Sequence, residues 1–115
     1  MQDIQAKTRN LSVSAQKVRT VIDMVRGKSA NEALEILRFV NKRPALPVYK
    51  LVASAVANAE ENFGVSRDDL FVAKITADEA PTRKWRRFGA RGRFKPILRR
   101  TSHVAVILRE RGRAA

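Results

Sequence analysis

The residues with the clearest chemistry form one block of the sequence, residues 83–100, which contains nine cations and no carboxylate. The cations are Arg83, Lys84, Arg86, Arg87, Arg91, Arg93, Lys95, Arg99 and Arg100. Guanidinium groups pair bidentately with phosphate and stack on bases, so an arginine-rich block is typical of nucleic-acid binding. The interleaved rings of Trp85, Phe88 and Phe94 could stack on unpaired bases. The alternative is that they pack on one another; we take Trp85 as a base contact and leave both interpretations open for Phe94.

The positive charge of the chain is concentrated near this block. The 115 residues include 24 Lys plus Arg and 11 Asp plus Glu, a formal net charge of +13. Residues 1–80 hold 12 basic and 10 acidic residues, a net of +2, whereas the remaining residues hold 12 basic and one acidic, a net of +11. A polyanion is therefore the expected partner of the C-terminal third.

Other kinds of chemistry find little support in the sequence. His103 is the only histidine, cysteine is absent, and no glycine-rich phosphate loop or metal-spacing cluster occurs. We therefore expect no enzyme and no cofactor or metal, and we interpret His103 as a strand residue with a local hydrogen bond. The lack of cysteine indicates an intracellular protein. No apolar run approaches the about 20 residues of a membrane-spanning helix, and the first residues lack a secretory signal, so we expect neither membrane insertion nor export.

Three stretches before residue 65 have the 3.6-residue period of amphipathic helices. The first follows Ser14, and its apolar face consists of Val18, Val21, Ile22 and Val25, with Gly27 as a left-handed stop. The second begins at the capping box Ser29-Ala30-Asn31-Glu32 and ends before Pro44. The third and longest ends at Gly64, and its periodic positions are Tyr49, Val52, Ala53, Val56, Ala59 and Phe63. The helices must therefore supply much of the core.

The strands predicted on either side of the basic block decide how it is presented. Alternation predicts one strand with Phe71, Ala73, Ile75 and Ala77 on one face, and residues 102–108 form a second, continuously apolar strand. Residues 3–11 are a candidate third strand at an edge. Because unstructured loops of about 20 residues are uncommon in compact domains, we interpret residues 81–100 as an extended two-stranded arm. Its tip would lie about 30–50 Å from the base of the sheet.

Several strings resemble the bacterial large-subunit ribosomal protein twenty-two family. They include residues 14–19 and 22–28, the element Asn41-Lys42-Arg43, the run Asp78-Glu79-Ala80-Pro81, and Thr101-Ser102-His103 after paired arginines. The resemblance covers about residues 4–109. It implies an α+β fold: three helices packed on a small three-stranded antiparallel sheet, with one long extended basic β-hairpin arm. Residues 1–115 would form a single domain, with a globular part at about 1–78 and 101–110 and the arm at about 79–100.

The resemblance also implies a function, which is that of a structural constituent of the large ribosomal subunit. Such proteins bind ribosomal RNA, support assembly, lie near the mouth of the polypeptide exit tunnel and line the tunnel with the arm. Carried over residue by residue, the implied RNA contacts are Lys17, Arg19, Arg26, Lys28, Asn41, Lys42, Arg43, Arg83, Lys84, Arg91, Arg93, Arg99 and Arg100. To these the basic block itself adds Trp85, Arg86 and Arg87.

The expected partners are large-subunit ribosomal RNA, neighbouring ribosomal proteins and the nascent polypeptide at the hairpin tip, with no homo-oligomer. The expected location is the cytoplasmic ribosome, with an organellar ribosome left open. The tip departs from the family pattern at Phe88-Gly89 and at Phe94-Lys95-Pro96. Pro96 cannot donate to a ladder and therefore predicts a bulge or an edge position. The alternative function is that of a DNA-bending nucleoid-type protein, which would also project a basic β-arm.

Overall fold

Three helices and a three-stranded sheet make up the computed structural model, which describes residues 3–88 and 94–110, with the backbone only at 82–88 and 94–99. The helices are α1 (Ala15–Ile22), α2 (Ala30–Phe39) and α3 (Ala45–Phe63), and the strands are β1 (Ile4–Leu11), β2 (Leu70–Phe88) and β3 (Phe94–Glu110). The sheet is antiparallel in the order β1-β3-β2, so β3 is central. The α+β fold and the edge position of the first strand are confirmed.

Local sequence signals account for most helix ends. The Ser29 hydroxyl accepts a hydrogen bond of 3.3 Å from the Glu32 N–H, as the capping box predicts. Gly27 and Gly64 have φ of +79° and +64°, the left-handed conformation that a helix stop requires. α1 ends at Ile22, earlier than its apolar stripe, and turns that keep Val25 buried continue to Gly27.

The buried face of α3 differs in one place from the predicted stripe. Val48, Val52, Val56 and Ala59 are buried, whereas Phe63 is 41% exposed. The periodic stripe therefore does not stay buried as far as Phe63, the last residue of α3. Ala55 and Ala59 are buried, and their small side chains allow close packing of neighbouring elements.

Two β-bulges in β2 change the face to which its residues point. The register shifts between Val72 and Lys74, so that Leu70 and Val72 are buried before the shift and Ile75 and Ala77 after it. The predicted single face from Phe71 to Ala77 was therefore wrong in its first half, because one extra residue reverses the alternation. The second shift lies between Ala80 and Arg83.

The core lies between the helices and one face of the sheet. On β3 the buried positions Ser102, Val104, Val106 and Leu108 alternate, and cross-strand neighbours such as Ile4 and Val72 continue the same layer. β1 pairs with β3 only as far as Leu11 opposite Ser102. Beyond that point β2 and β3 continue as two strands, up to Phe88 opposite Phe94. The long axis of the molecule is 71 Å, against 25 and 20 Å across.

An ion pair joins the start of β1 to the end of β3. Arg109 Nε donates to Asp3 Oδ1 at 2.6 Å, and Arg109 Nη2 donates to Oδ2 at 3.3 Å. The hydrogen bond from Arg109 lowers the pKa of Asp3 below its ordinary value, and the carboxylate in turn raises the pKa of Arg109. Because the folded state holds the proton more weakly than the unfolded state, this contribution to stability is present above the ordinary Asp pKa and is lost as the pH falls through the lower, folded value.

We expect an NMR titration of the Asp3 carboxyl to show a midpoint below 3.8 in the native chain. In Arg109→Gln the midpoint should return toward 3.8, because the guanidinium that holds the carboxylate is gone. Arg67→Gln, which removes an arginine paired with Glu60 instead, is the matched control and should leave the midpoint unchanged. An Asp3 midpoint that is the same in the native chain and in Arg109→Gln would contradict the pairing.

Candidate nucleic-acid interface

The outer edge of β2 is covered by the segment from α1 to the start of α2. Val72 N–H donates to Lys28 O at 2.8 Å, and Gly27 N–H donates to Val72 O at 3.1 Å. Ser29 and Phe71 form an antiparallel bridge beside them. Unpaired backbone groups at a sheet edge can pair with strands of other chains. This segment therefore covers the edge of β2 near its first residues, at the end away from the arm.

Two arginines of the predicted interface continue this cover along β2. Arg26 Nη2 donates to Ile75 O at 3.0 Å, and Arg19 Nε donates to Ala77 O at 3.1 Å. Arg26 also donates to Asp23 Oδ1 at 2.7 Å. Each guanidinium carries five N–H donors, so both arginines keep donors for a further acceptor after these bonds. Both residues are exposed on their outer side.

These contacts place cations of α1 and of the turns after it in a line that leads to the base of the arm. Lys28, Arg26 and Arg19 lie opposite Val72, Ile75 and Ala77 in that order, and the bulge at the base of the arm comes next along β2. We call Lys17, Arg19, Arg26 and Lys28 the α1 strip; all four are exposed.

The arm itself is a continuous ladder. Its base is fixed by a hydrogen bond of 3.1 Å from the Thr101 hydroxyl to Pro81 O, where Pro81 lies in the second bulge. From Arg83 opposite Arg99 to Phe88 opposite Phe94 the register is unbroken. Pro96 pairs with Arg86 without a shift, so the edge position is confirmed for Pro96, since both strands of a two-stranded arm are edges.

The predicted contacts of the arm fall into three groups. Arg100 is exposed. For Arg83, Lys84, Trp85, Arg86, Arg87 and Arg99 the structure gives the backbone position in the ladder only. Arg91 and Arg93, together with the predicted turn at Gly89–Gly92, lie outside the described residues.

The connection between α2 and α3 forms a second cationic surface. Asn41, Lys42 and Arg43 are all exposed. Nothing in the described part of the chain links them to the α1 strip by a hydrogen bond or an ion pair. Asn41, Lys42 and Arg43 form a second exposed group, whereas the hydrogen bonds to the β2 edge come from the α1 strip.

An exposed aromatic residue next to this second surface escaped the sequence reasoning. Phe39 is 77% exposed, and the guanidinium carbon of Arg38 lies 6.0 Å from the centre of its ring. The nearby Leu46 is 60% exposed. The sequence did contain a signal for this exposure. The buried positions of α2 include Ala33 and Leu37, and Phe39 does not continue their helical spacing. A large ring beside cations is a platform on which a base can stack.

His103 lies in a strand, as predicted, but its hydrogen-bond partner is not local in sequence. His103 Nδ1 accepts a hydrogen bond of 3.1 Å from the Asn10 N–H of the neighbouring strand β1. Residues 3–88 and 94–110 contain no group of three or more His, Asp or Glu side chains that could hold a metal ion. Among these same residues no helix has the length and apolar character needed to cross a membrane.

Comparison with protein families decides between the ribosomal and the DNA-bending interpretations. The model of the family described as ribosomal protein L22p/L17e matches residues 6–109, which include all three helices and the whole arm. The chain belongs to this family. It is therefore a structural protein of the large ribosomal subunit, of a family that binds ribosomal RNA and has other ribosomal proteins as neighbours. The family is not an enzyme family, and the alternative of a DNA-bending protein is set aside.

The contacts of the α1 strip predict unequal effects on stability. Arg19→Gln and Arg26→Gln should each lower the free energy of unfolding by about 1 kcal/mol, because a backbone carbonyl of β2 loses its donor. Lys17→Gln is the matched control, since Lys17 is exposed on α1, the helix of Arg19, and its side chain makes no hydrogen bond or ion pair within the described part of the chain; it should change stability by less than about 0.5 kcal/mol. Urea denaturation measures all three, and equal effects would contradict the structural role of the two arginines.

Proposed function

We propose that the arm enters ribosomal RNA and that its tip forms part of the wall of the polypeptide exit tunnel, while the globular part lies near the tunnel mouth on a cytoplasmic ribosome. The observation that carries this proposal is the ladder of β2 and β3, which continues as two strands past the last pairing with β1. That segment contains nine cations and no carboxylate between residues 83 and 100.

The electrostatics of the arm require a polyanion. Nine like charges on a two-stranded ribbon repel one another, and a ribbon without a covering layer cannot bury enough apolar surface to offset that repulsion. Phosphate groups supply the opposite charge, and the counterions they release on binding favour the complex. Insertion between RNA segments would hold those segments together, so the same arm would also support assembly of the subunit.

The dimensions of the molecule agree with a protein that reaches inward. The ladder extends from Ala80 to Phe88, which at about 3.3 Å per residue corresponds to roughly 26 Å beyond the three-stranded part. The 71 Å long axis is nearly three times the next dimension of 25 Å. A domain at the surface could therefore place the tip well inside the RNA.

The globular part supplies the contacts that orient the arm. The α1 strip lies along the β2 edge and ends at the base of the arm. RNA bound along the arm would therefore also contact these cations where the arm joins the globular part. Their hydrogen bonds to β2 hold the two guanidinium groups in fixed positions, which reduces the entropy lost on binding phosphate. Asn41, Lys42 and Arg43 would seat the domain at a second point.

Beside the second cationic surface, the ring of Phe39 would contact a base. Its ring is largely free of the core, and Arg38, Lys42 and Arg43 lie within a few residues to neutralise the phosphates on either side. Sequence-specific RNA recognition targets unpaired bases, which stack on such rings. Phe39 would therefore hold an unpaired base of the ribosomal RNA.

The arm's phosphate contacts predict a change in salt dependence. Replacing Arg91 and Arg93 with alanine should lower the slope of log affinity against log salt by about 0.7–0.9 for each lost phosphate contact. The affinity of the purified chain for large-subunit ribosomal RNA is measured between low and moderate salt. Arg67→Ala with Lys74→Ala removes the same charge from the globular part and is the matched control. An identical slope in the native chain and the arm variant would show that these arginines do not contact phosphate.

The role of Phe39 predicts a loss of affinity without a loss of stability. Phe39→Ala should weaken RNA binding by about 1–3 kcal/mol, because one base loses its stacking partner. The melting temperature should stay unchanged, since the ring is 77% exposed in the folded chain. Leu46→Ala removes a nearby exposed side chain that cannot stack and should bind RNA as the native chain does. Equal binding by the two variants would contradict base stacking by Phe39.

The tunnel position predicts a contact with nascent peptide. A photoreactive benzophenone residue in place of Arg91 should cross-link to a stalled nascent chain when assembled large subunits translate. The same residue in place of Lys74, on the globular sheet, should not. Adducts from the Arg91 position that contain RNA alone would remove the tunnel role and leave the RNA-binding role intact.

A further inference from the structure

The two edges of the sheet are not equivalent. The β2 edge is covered by residues 27–29 and by two guanidinium groups, as described above. Along the outer edge of β1, by contrast, no hydrogen bond from another element reaches residues 4–9 within the described part of the chain. At the end of this stretch, Asn10 adopts a positive φ of 54° within the register shift between Thr8 and Leu11, which terminates the regular edge.

Helix α3 runs beside this open edge and leaves a groove. A cleft of about 660 Å³ lies between residues 5–8 of β1 and one side of α3. On that side the helix presents Lys50, Ser54, Ala57 and Glu61, which recur every three or four residues, together with Asn58. The exposed side chains of Ser54 and Ala57 are small, so the backbone of another chain can approach the helix.

The chemistry of the groove fits an extended peptide better than RNA. Alternate residues of an edge strand present both an N–H and a C=O outward, and an added strand at about 4.8 Å satisfies both kinds of group. A phosphate can accept from the N–H groups only, and the carbonyls and Glu61 would repel it. The strand-adding mode of peptide recognition uses this type of edge.

The charged residues of the groove indicate what kind of chain it binds. Lys7 and Lys50 line it, and neither takes part in an ion pair among the described residues. A second copy of this chain would pair β1 with β1 and bring Lys7 and Arg9 near their own counterparts, where like charges facing each other destabilise a sheet. The occupant should therefore be a different chain that carries a carboxylate.

We propose that the groove between β1 and α3 binds an extended segment of a neighbouring protein of the large subunit, which adds a fourth strand to the sheet at β1 and places acidic side chains against Lys7 on one face and against Lys50 on the other. The location in the large subunit rests on family membership, whereas the groove is separate from the RNA contacts of the arm.

The test uses purified large subunits that contain the full chain with a benzophenone residue in place of Ala57. Irradiation and mass spectrometry of the digested subunits should identify one protein segment that contains Asp or Glu. The same residue in place of Glu35, on α2 outside the groove, is the control and should not reach that segment. Adducts at Ala57 with ribosomal RNA alone, with a second copy, or with nothing would each overturn the proposal.

Charge reversal tests the acidic side chains. The double variant Lys7→Glu with Lys50→Glu should lower the yield of the Ala57 adduct about tenfold, because two attractive contacts become repulsive. The matched control reverses two exposed cations outside the groove and outside the proposed RNA contacts, Arg67 and Lys74, and should keep the yield. Equal yields in the two double variants would overturn the charge argument.

Proline tests strand addition itself. Consecutive residues of a strand direct their N–H groups to opposite sides, so of Ala6→Pro and Lys7→Pro only one removes a donor from the β1–β3 pairing. The variant that keeps the native melting temperature should lose the adduct at least tenfold, since proline cannot donate to an added strand. Retention of the adduct in that variant would overturn the fourth strand.

Sedimentation keeps this proposal separate from the proposed function. If a groove variant is absent from large subunits, then the groove is needed for incorporation. In that case the adduct formed by the chain with benzophenone at Ala57 and no other change still identifies what binds in the groove. If the native chain itself is absent from large subunits, the proposed function fails. A native chain that sediments with large subunits but yields no protein adduct overturns the groove proposal only.

Discussion

The central strand β3 imposes the constraint on which the rest of the molecule depends. It pairs with β2 over nearly its whole length but with β1 only from Ser102 to Leu108. Where all three strands are present, the helices cover one face and the buried positions alternate along β3. Where only two strands remain, the sequence places nine cations and no carboxylate between residues 83 and 100, interleaved with a few apolar residues such as Trp85. Core and arm are thus two environments of one ladder.

The two bulges in β2 allow one strand to belong to both the core and the arm. The first reverses the alternation between Val72 and Ile75, so that apolar residues stay on the helix side despite the extra residue. The second lies at Pro81, whose carbonyl accepts from the Thr101 hydroxyl where the ladder leaves the core. Bulges increase local twist and bend a strand, and this one is placed where the direction of the arm is set.

The opposite edges of the sheet show how stability and recognition share residues. On the β2 side, Arg19 and Arg26 complete the hydrogen bonding of the edge and remain exposed beside the arm. In the proposed RNA complex, a guanidinium that bonds to the β2 backbone would also be held in position for phosphate, so the two roles would not compete. On the β1 side the edge stays open next to α3, and its backbone groups remain available to another chain.

Features that depend on short stretches of the chain could be predicted without the structure. The Ser29–Glu32 cap, the left-handed stops at Gly27 and Gly64, and the segregation of charge into residues 83–100 were all readable in advance, because each signal is local. The family strings then gave the topology. The same reasoning named Arg19 and Arg26 as site residues from their charge and position.

The contacts of Arg19 and Arg26 depend on the packing of elements that are distant in sequence. The acceptors of Arg19 and Arg26 lie 58 and 49 residues away in sequence, and their identity depends on how α1 aligns with β2 after the first bulge. The exposure of Phe39 and of the β1 edge likewise depends on which surfaces other elements happen to cover. No local pattern records such coverage, because it is a property of the packed arrangement and not of any single segment.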